Sequence, residues 1–302
     1  MSPIVTVEKE EIGTIMSTVI YIKIVDNSNL VAENDLRTDI DLAFNLFTDF
    51  QNNYSRFIRD NELDLYNKGI KTGNLSFDFL EMVKIGEQFN KISGGVFSIH
   101  VLRPLIKIGY STSKDKGFTA HAAIPDQNLK LRTDAIDFGG LGKGYITDKV
   151  TKILNKKYKN FVVDAGGDIS FVGGDLENNP DHWVVGIEDP ISGKDFMFLQ
   201  AKNLSIATST VKKRSWVFNG KRKHHLINPS TGESAVSDII QATAISSGDN
   251  STTKADIFAK TILLKGKKNG LEFANSLCIP CVLVDEGGGI ITNEYVKKFI
   301  IS

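Results

Sequence analysis

The stretch Ala135-Ile136-Asp137-Phe138-Gly139-Gly140-Leu141-Gly142-Lys143-Gly144 places four glycines around one lysine, ahead of an amphipathic segment. The hydrophobic spacing that follows predicts a helix over residues 145–156. Exposed backbone N–H groups at a helix start bind anions, and glycine lets the backbone approach a ligand closely. The stretch is not a Walker loop, because Gly144 follows Lys143 where that loop has Ser or Thr. It predicts a phosphate or pyrophosphate site, and the alternative is a plain glycine turn before a helix.

The hydrophobic spacing on either side predicts both strands and helices. A period of two residues over 17–25 and a period of 3.6 residues over 33–50 predict a strand and then a helix. A second helix is predicted over 78–92, ended by Gly94-Gly95. The later predicted elements are strands at 160–163, 183–187, 242–246 and 282–284, and helices at 254–265 and 270–277. This mixed order predicts an α+β fold, and we expect one domain over residues 1–302, with an elaborated loop or short strands at 112–132.

The charge of the chain limits the partners that it can recruit. Lys and Arg number 36 and Asp and Glu number 36, so the formal net charge is zero. No global field attracts nucleic acid or an anionic membrane, and any anion site must be local. The apolar runs have the length of strands, far below the roughly 20 residues of a membrane span. We therefore expect neither a nucleic-acid partner nor a membrane span.

The first 13 residues carry three glutamates and one lysine where the apolar core of a signal peptide would lie. This composition predicts a cytoplasmic protein, and the alternative is an exported or membrane-anchored protein whose leader has been removed. The cysteines, Cys278 and Cys281, have a C-x-x-C spacing that suits redox exchange or half of a zinc site. No second pair completes a metal site, and an apolar run follows Cys281. We expect two core thiols, with redox chemistry as the alternative.

Two further stretches combine titratable groups, hydroxyls and backbone donors. Ala207-Thr208-Ser209-Thr210 precedes six basic residues between Lys212 and Lys223, and then His224-His225-Leu226-Ile227-Asn228-Pro229-Ser230-Thr231-Gly232. This combination predicts a reaction centre for an anionic substrate, although a histidine beside a turn is often an ordinary surface or core residue. Asp164-Ala165-Gly166-Gly167-Asp168 follows an apolar strand, which places Gly-Gly where backbone can lie against a ligand. A β-bulge or tight turn is the alternative there.

These motifs, in this order, resemble the ApbE-type flavin transferases, which take FAD and attach FMN to a Ser or Thr of a target protein. The resemblance runs almost end to end. The other matching segments are residues 13–18, 55–57, 61–62, 94–97, 183–190 and 255–261. It implies the fold of that family, which consists of two interlocked α/β halves with the flavin nucleotide in the cleft between them.

The resemblance also implies roles for individual residues. His225 corresponds to the family histidine and would act as a general base, with His224 as a structural neighbour. Lys143 would supply positive charge to the phosphates. The residues expected to contact FAD are Met16, Phe57, Glu62, Gly142, Gly144, Gly166, Gly167, Asp168, Thr208 and Ser209. Mg²⁺ would be held by the Asp256 carboxylate and the Gly142 carbonyl.

The sequence departs from the family pattern at a ligand position. Relatives with the commonest form of the motif place a Thr ligand four residues after the aspartate, whereas this chain has Lys260 there and Thr261 one residue later. An ammonium group cannot ligate Mg²⁺ unless it is deprotonated, and it can instead occupy the place of the cation. Ser17 stands where relatives usually have Gly, and Ser98 stands where they usually have Asp. We expect these two differences to affect ligand contacts more than the fold.

The function implied is that of an FAD:protein FMN transferase dependent on Mg²⁺. The hydroxyl of a target flavoprotein would attack the FMN-side phosphorus of FAD, AMP would leave, and a phosphoester-linked FMN would remain. Two alternatives stay open at this point. One is a protein that binds FAD without transferring FMN, and the other is an Mg²⁺-dependent FAD pyrophosphatase that releases FMN and AMP.

Overall fold

The computed structural model describes residues 4–13, 15–28, 32–70, 73–110, 131–212 and 214–301. The loop predicted over 112–132 lies outside these ranges except for its last two residues, as do Thr14 and Lys213. The helices are α1 (Glu33–Tyr54), α2 (Glu62–Lys68), α3 (Phe77–Ile92), α4 (Leu102–Lys107), α5 (Gly142–Leu154) and α6 (Ser251–Ser276). Two short 3₁₀ turns span Phe138–Gly140 and Glu294–Phe299.

The strands form one large sheet and three two-stranded pairs. They are β1 (Val5–Ile12), β2 (Val19–Asp26), β3 (Phe161–Ala165), β4 (Asp168–Val172), β5 (Trp183–Glu188), β6 (Asp195–Ala201), β7 (Leu204–Thr210), β8 (Ser215–Phe218), β9 (Lys221–His224), β10 (Ile227–Asn228), β11 (Glu233–Ser234), β12 (Ile239–Ser246), β13 (Cys281–Asp285) and β14 (Ile290–Thr292). The large sheet has the order β1-β2-β3-β4-β7-β12-β13-β14, and each neighbouring pair is antiparallel. The α+β fold class is confirmed, while one domain over 1–302 stays a prediction.

The alternation along β2 explains how the sheet is covered on both faces. Ile20, Ile22 and Ile24 point to one face and are buried in a core shared with α1, α3 and α5. Val25 belongs instead to a second core, which contains residues of the β5–β6 pair and of the last 3₁₀ turn. A third cluster joins α6 to β12 and β13. A period of two residues therefore separates the helix-covered face from the hairpin-covered face.

The sequence predicted α1, α3 and β2 closely, whereas β1, β6 and β7 were not predicted and the start of α5 was misplaced. Helix α5 begins at Gly142 and not at residue 145, so Lys143 lies in its first turn and not in a loop. The two helices predicted at 254–265 and 270–277 are present as the two segments of α6, which are separated at the non-helical residue Gly266, whose φ is 77°. The Lys267 N–H then donates to Asp238 Oδ1 over 2.7 Å, which caps the second segment.

Helices α5 and α6 approach each other closely where both carry predicted site residues. A Cβ atom added at Gly144 would lie 2.7 Å from Thr253 Cα and 2.8 Å from the Thr252 carbonyl oxygen. Glycine is therefore required at 144 by backbone packing. The Asp148 carboxylate, one turn further along α5, accepts hydrogen bonds from the backbone N–H groups of Thr252 and Thr253, each at 2.9 Å. These contacts fix the start of α6 against α5.

The two cysteines differ in environment. Cys281 is buried in β13, and burial raises the pKa of its thiol to about 12. Cys278 is exposed, so the prediction of two core thiols is wrong for this residue. The physical reason is its position at the turn after α6, where its φ is 53° and the chain reverses before entering the sheet. Within the described ranges, no helix has both the length and the apolar character that crossing a bilayer requires.

We predict that Gly144→Ala destabilises the protein by about 1–3 kcal/mol, because the added methyl group meets backbone atoms that cannot rotate away. Chemical denaturation of the wild type and the variant measures the difference. Lys152→Ala is the control, since Lys152 is an exposed residue on the same helix whose side chain donates to that of Asn250. Equal stability of Gly144→Ala and wild type would contradict the packing argument.

Candidate active site

The predicted Gly-Gly segment forms the tight turn between β3 and β4. Gly166 and Gly167 have φ values of 67° and 89°, the pattern of a type I′ hairpin turn. A Cβ atom at Gly166 would lie 1.7 Å from Thr18 Oγ1, whereas nothing lies within 4 Å of one at Gly167. The Thr208 N–H donates to the Gly167 carbonyl over 3.1 Å. The turn is thus packed on one side and open to a ligand on the other.

An ion pair joins the glycine-rich helix start to this turn. Lys143 Nζ lies 2.5 Å from Asp168 Oδ2 and 3.2 Å from the Ala165 carbonyl oxygen. Asp168 is buried, and Lys143 is only partly exposed. A buried ion pair holds both partners in place, because separating them would leave an uncompensated charge. The structure therefore brings together two motifs that lie 25 residues apart.

A second ion pair lies on α6. Lys260 follows Asp256 by one helical turn, and its Nζ donates to Asp256 Oδ1. Both side chains are buried, and Asp256 Oδ2 has no hydrogen-bond partner among the described residues. Burial lowers the pKa of Lys260 to about 7. The Asp168 carboxylate acts to raise this pKa, and the charges of Lys143 and Arg214 act to lower it further. The two ion pairs thus lie within electrostatic reach of each other.

His225 lies between β9 and β10 with one ring nitrogen directed at a backbone carbonyl. Its Nδ1 is 3.4 Å from the Arg214 carbonyl oxygen, which can only accept, so we infer that Nδ1 carries the proton and Nε2 the lone pair. Burial, followed by the charges of Arg214 and Lys260, lowers the pKa of His225 well below its usual value. The ring is therefore neutral near pH 7 and can accept a proton at Nε2.

The neighbouring histidine has a different set of contacts. His224 Nε2 lies 2.9 Å from the Ala235 carbonyl oxygen, and the His224 N–H donates to Ser234 Oγ over 3.0 Å. Burial also lowers the pKa of His224. Both contacts join β9 to the segment at β11, as expected for a residue with a structural role.

Phe57 belongs to an aromatic stack that the sequence did not predict. The Arg56 guanidinium lies 4.4 Å from the Phe57 ring centroid and 4.2 Å from that of Tyr110, and Arg56 Nε is 3.1 Å from Asp137 Oδ2. Tyr110 in turn stacks on Trp216 of β8, with centroids 4.8 Å apart. The stack links the start of the glycine-rich stretch to the hairpin that precedes His225. Arg56 lies in the motif segment 55–57, and its position there was the signal in the sequence that could have pointed to this stack.

Other predicted contact residues make internal contacts. The Glu62 carboxylate accepts from the Ser76 N–H over 2.6 Å and from Ser76 Oγ over 2.7 Å, at the start of α3. The Met16 N–H donates to Gln51 Oε1 over 2.5 Å. Thr208 Oγ1 lies 2.8 Å from Thr243 Oγ1, and its neighbour Ser209 is buried in β7. Contact of these residues with FAD stays a prediction.

The residues expected to hold Mg²⁺ do not make a complete site. Mg²⁺ takes six oxygen ligands in near-octahedral geometry. No group of three or more His, Cys, Asp and Glu residues in the described part of the chain is placed to hold a metal. Asp256 offers one oxygen, Oδ2, and its other oxygen is bonded to the Lys260 ammonium. The donor set as it stands does not fit a resident Mg²⁺.

Comparison with known proteins places the chain in a family. The model of the ApbE family matches residues 13–283. The FAD:protein FMN transferase of Vibrio cholerae serotype O1 is 23% identical over 314 residues, which cover 95% of this chain and 91% of that protein. The flavin transferase ApbE from Vibrio cholerae has a similar structure, with a TM-score of 0.77 at 22% identity over 98% of this chain and all of that one. The ApbE protein from Thermotoga maritima has a TM-score of 0.79 at 21% identity over 99% of this chain and all of that one. Because the family model covers most of the sequence, the chain belongs to the ApbE family.

Proposed function

We propose that this chain is an FAD:protein FMN transferase, the activity after which its relatives are named. The observation that carries the proposal is the state of His225. Its Nδ1 faces the Arg214 carbonyl oxygen, which assigns the lone pair to Nε2, and burial, followed by the charges of Arg214 and Lys260, holds its pKa well below the usual value. A base beside positive charge suits a reaction in which a hydroxyl loses a proton and attacks an anionic phosphate.

The proposed acceptor is a Ser or Thr of a target flavoprotein. His225 Nε2 takes the hydroxyl proton while the hydroxyl oxygen forms a bond to the FMN-side phosphorus. The bond from that phosphorus to the bridging oxygen breaks, and AMP leaves with the electron pair. Lys143, held by Asp168, offsets negative charge on the phosphates, because positioning and electrostatics dominate phosphoryl transfer.

The contacts with FAD proposed from the family resemblance involve the open side of the β3–β4 turn and the first turn of α5. Gly167 has free space next to its Cα, and Gly142 lies one residue before Lys143. Mg²⁺ at Asp256 and the Gly142 carbonyl is the further expectation from the resemblance. Since the donor set does not fit that ion as it stands, no step of the mechanism is assigned to a metal.

Two other functions would use the same site. A protein that binds FAD without transferring it would retain intact FAD and form no AMP. An FAD pyrophosphatase would release AMP at its full rate with no acceptor present, because water would replace the hydroxyl. Incubation of the chain with FAD, with and without an acceptor flavoprotein, separates the three functions when AMP and acceptor mass are both measured.

We predict that the wild type adds the mass of FMN to the acceptor and that His225→Ala slows this transfer by about 10²–10⁴-fold, the usual loss on removing a general base. FAD affinity should change little, because the imidazole acts on the acceptor hydroxyl. Mass spectrometry of the acceptor and a separate FAD titration measure the two effects. His224→Ala is the matched control and should slow transfer only slightly. A large loss for His224→Ala with a mild effect of His225→Ala would reverse the assignment.

A second prediction concerns the protonation of His225. Because burial and two nearby cations lower its pKa, the ring should titrate with a midpoint below 6.5, its ordinary value. Without FAD bound, the ring should therefore stay neutral at pH 7 and gain a proton only as pH drops through that lower pKa. NMR titration of labelled histidine, with the His225→Gln variant to assign the signal, measures the midpoint. A midpoint at or above 6.5 would contradict the electrostatic description of the site.

A further inference from the structure

The position at which relatives with the commonest form of the motif have a Thr ligand holds an ammonium in this chain. Lys260 lies on the same face of α6 as Asp256, and its Nζ donates to Asp256 Oδ1. The side chains of Lys260 and Asp256 are both buried. A buried carboxylate requires a compensating positive charge, and here a covalently attached cation supplies it.

The nearby hydroxyl does not replace the lost ligand. Thr261 follows Lys260 in the chain, but its Oγ1 donates to the Ile257 carbonyl over 2.8 Å, within its own helix. Asp256 Oδ2 has no hydrogen-bond partner among the described residues, and it lies beside the Lys260 amine, which in its protonated form would repel a divalent ion. The side-chain oxygens near Asp256 thus favour a monovalent, hydrogen-bonding cation over Mg²⁺.

The charges around this pair favour an anionic ligand even without a metal. When Lys260 is protonated, Lys143, Lys260 and Arg214 carry three positive charges, and Asp168 and Asp256 carry two negative ones. Arg214 makes no ion pair with any residue that the structure describes, so its charge is not neutralised within the site. An anion placed among these groups favours the charged form of each of them.

We propose that the Lys260 ammonium takes the place of the divalent cation beside Asp256, so that this chain binds the pyrophosphate of FAD without a metal ion. The inference rests on the proposed function for the identity of the ligand. It departs from the Mg²⁺ requirement that the family resemblance implies, and it concerns binding, which is measured separately from transfer.

The first experiment uses the wild-type chain. FAD binding is followed by flavin fluorescence in excess EDTA and again in millimolar Mg²⁺, and Mn²⁺ binding is followed by electron paramagnetic resonance. We expect the same dissociation constant for FAD in both conditions and no Mn²⁺ bound through Asp256. Tenfold weaker FAD binding in EDTA, or Mn²⁺ binding that Asp256→Ala abolishes, would overturn the inference.

The second experiment restores an oxygen ligand with Lys260→Thr. FAD binding by this variant should weaken at least about tenfold in EDTA, the loss of one charge-assisted contact, and should recover in Mg²⁺. Mn²⁺ should now bind, and Lys260→Thr combined with Asp256→Ala should lose it. Lys268→Thr, an exposed position on the same helix, is the matched control and should behave as wild type. Unchanged FAD affinity of Lys260→Thr in EDTA would contradict the role given to Lys260.

The two proposals fail in distinguishable ways. If the wild type binds FAD only with Mg²⁺, the inference about Lys260 is wrong and the transferase proposal stands. If it binds no FAD in either condition, the transferase proposal is wrong and the inference falls with it. Thermal unfolding of each variant shows whether a loss of binding comes from a loss of fold, and the wild-type experiment needs no variant to decide.

Discussion

The Asp148 carboxylate holds together the two helices that carry the charged groups of the site. It accepts hydrogen bonds from Thr252 N, Thr253 N and Thr253 Oγ1, at 2.9, 2.9 and 2.6 Å. These N–H groups belong to the first turn of α6, which has no internal acceptors for them. Burial raises the pKa of Asp148, and the hydrogen bonds act against that shift by favouring the carboxylate. The absence of a side chain at Gly144 lets the helix backbones approach closely enough for these bonds.

The placement of the cations follows from this junction. Lys143 lies in the first turn of α5, five residues before Asp148, and Asp256 lies in the second turn of α6, after the capped N–H groups. The Lys143–Asp168 pair then ties α5 to the sheet at the β3–β4 turn. The α5–α6 junction and the β3–β4 turn thus share one electrostatic environment, in which the charges of Lys143 and Asp168 act on Lys260. A side chain at position 144 would disturb the packing and the charge arrangement together.

The sequence predicted the features that depend on local patterns. Helices α1 and α3 and strand β2 have strong hydrophobic periods, and their predicted ranges overlap the observed ones almost completely. The motifs and their order along the chain were enough to identify the family resemblance. The start of α5 was misplaced because glycines argue against a helix, and only packing against Phe50 and α6 overrides that preference. The sequence predicted a break of four residues, 266–269, between the two helical segments of α6. In the structure a single residue with a positive φ, Gly266, makes the break.

Residue spacing in the sequence did not predict most of the side-chain contacts in the site. The pairing of Asp168 with Lys143 and of Glu62 with Ser76 depends on how segments that are distant in the sequence meet. Only the i, i+4 relation of Asp256 and Lys260 could be read directly, because a helix places such residues side by side.

The cations of the site also govern the strength of its base. Burial, followed by the charges of Arg214 and Lys260, lowers the pKa of His225, which keeps the ring neutral when no anion is present. A bound pyrophosphate would offset those two charges, and the imidazolium would then be repelled less. The same groups that attract the anion would thus make His225 a stronger base once the anion is bound. Proton transfer from the acceptor would be favoured in the complex, where FMN can be transferred.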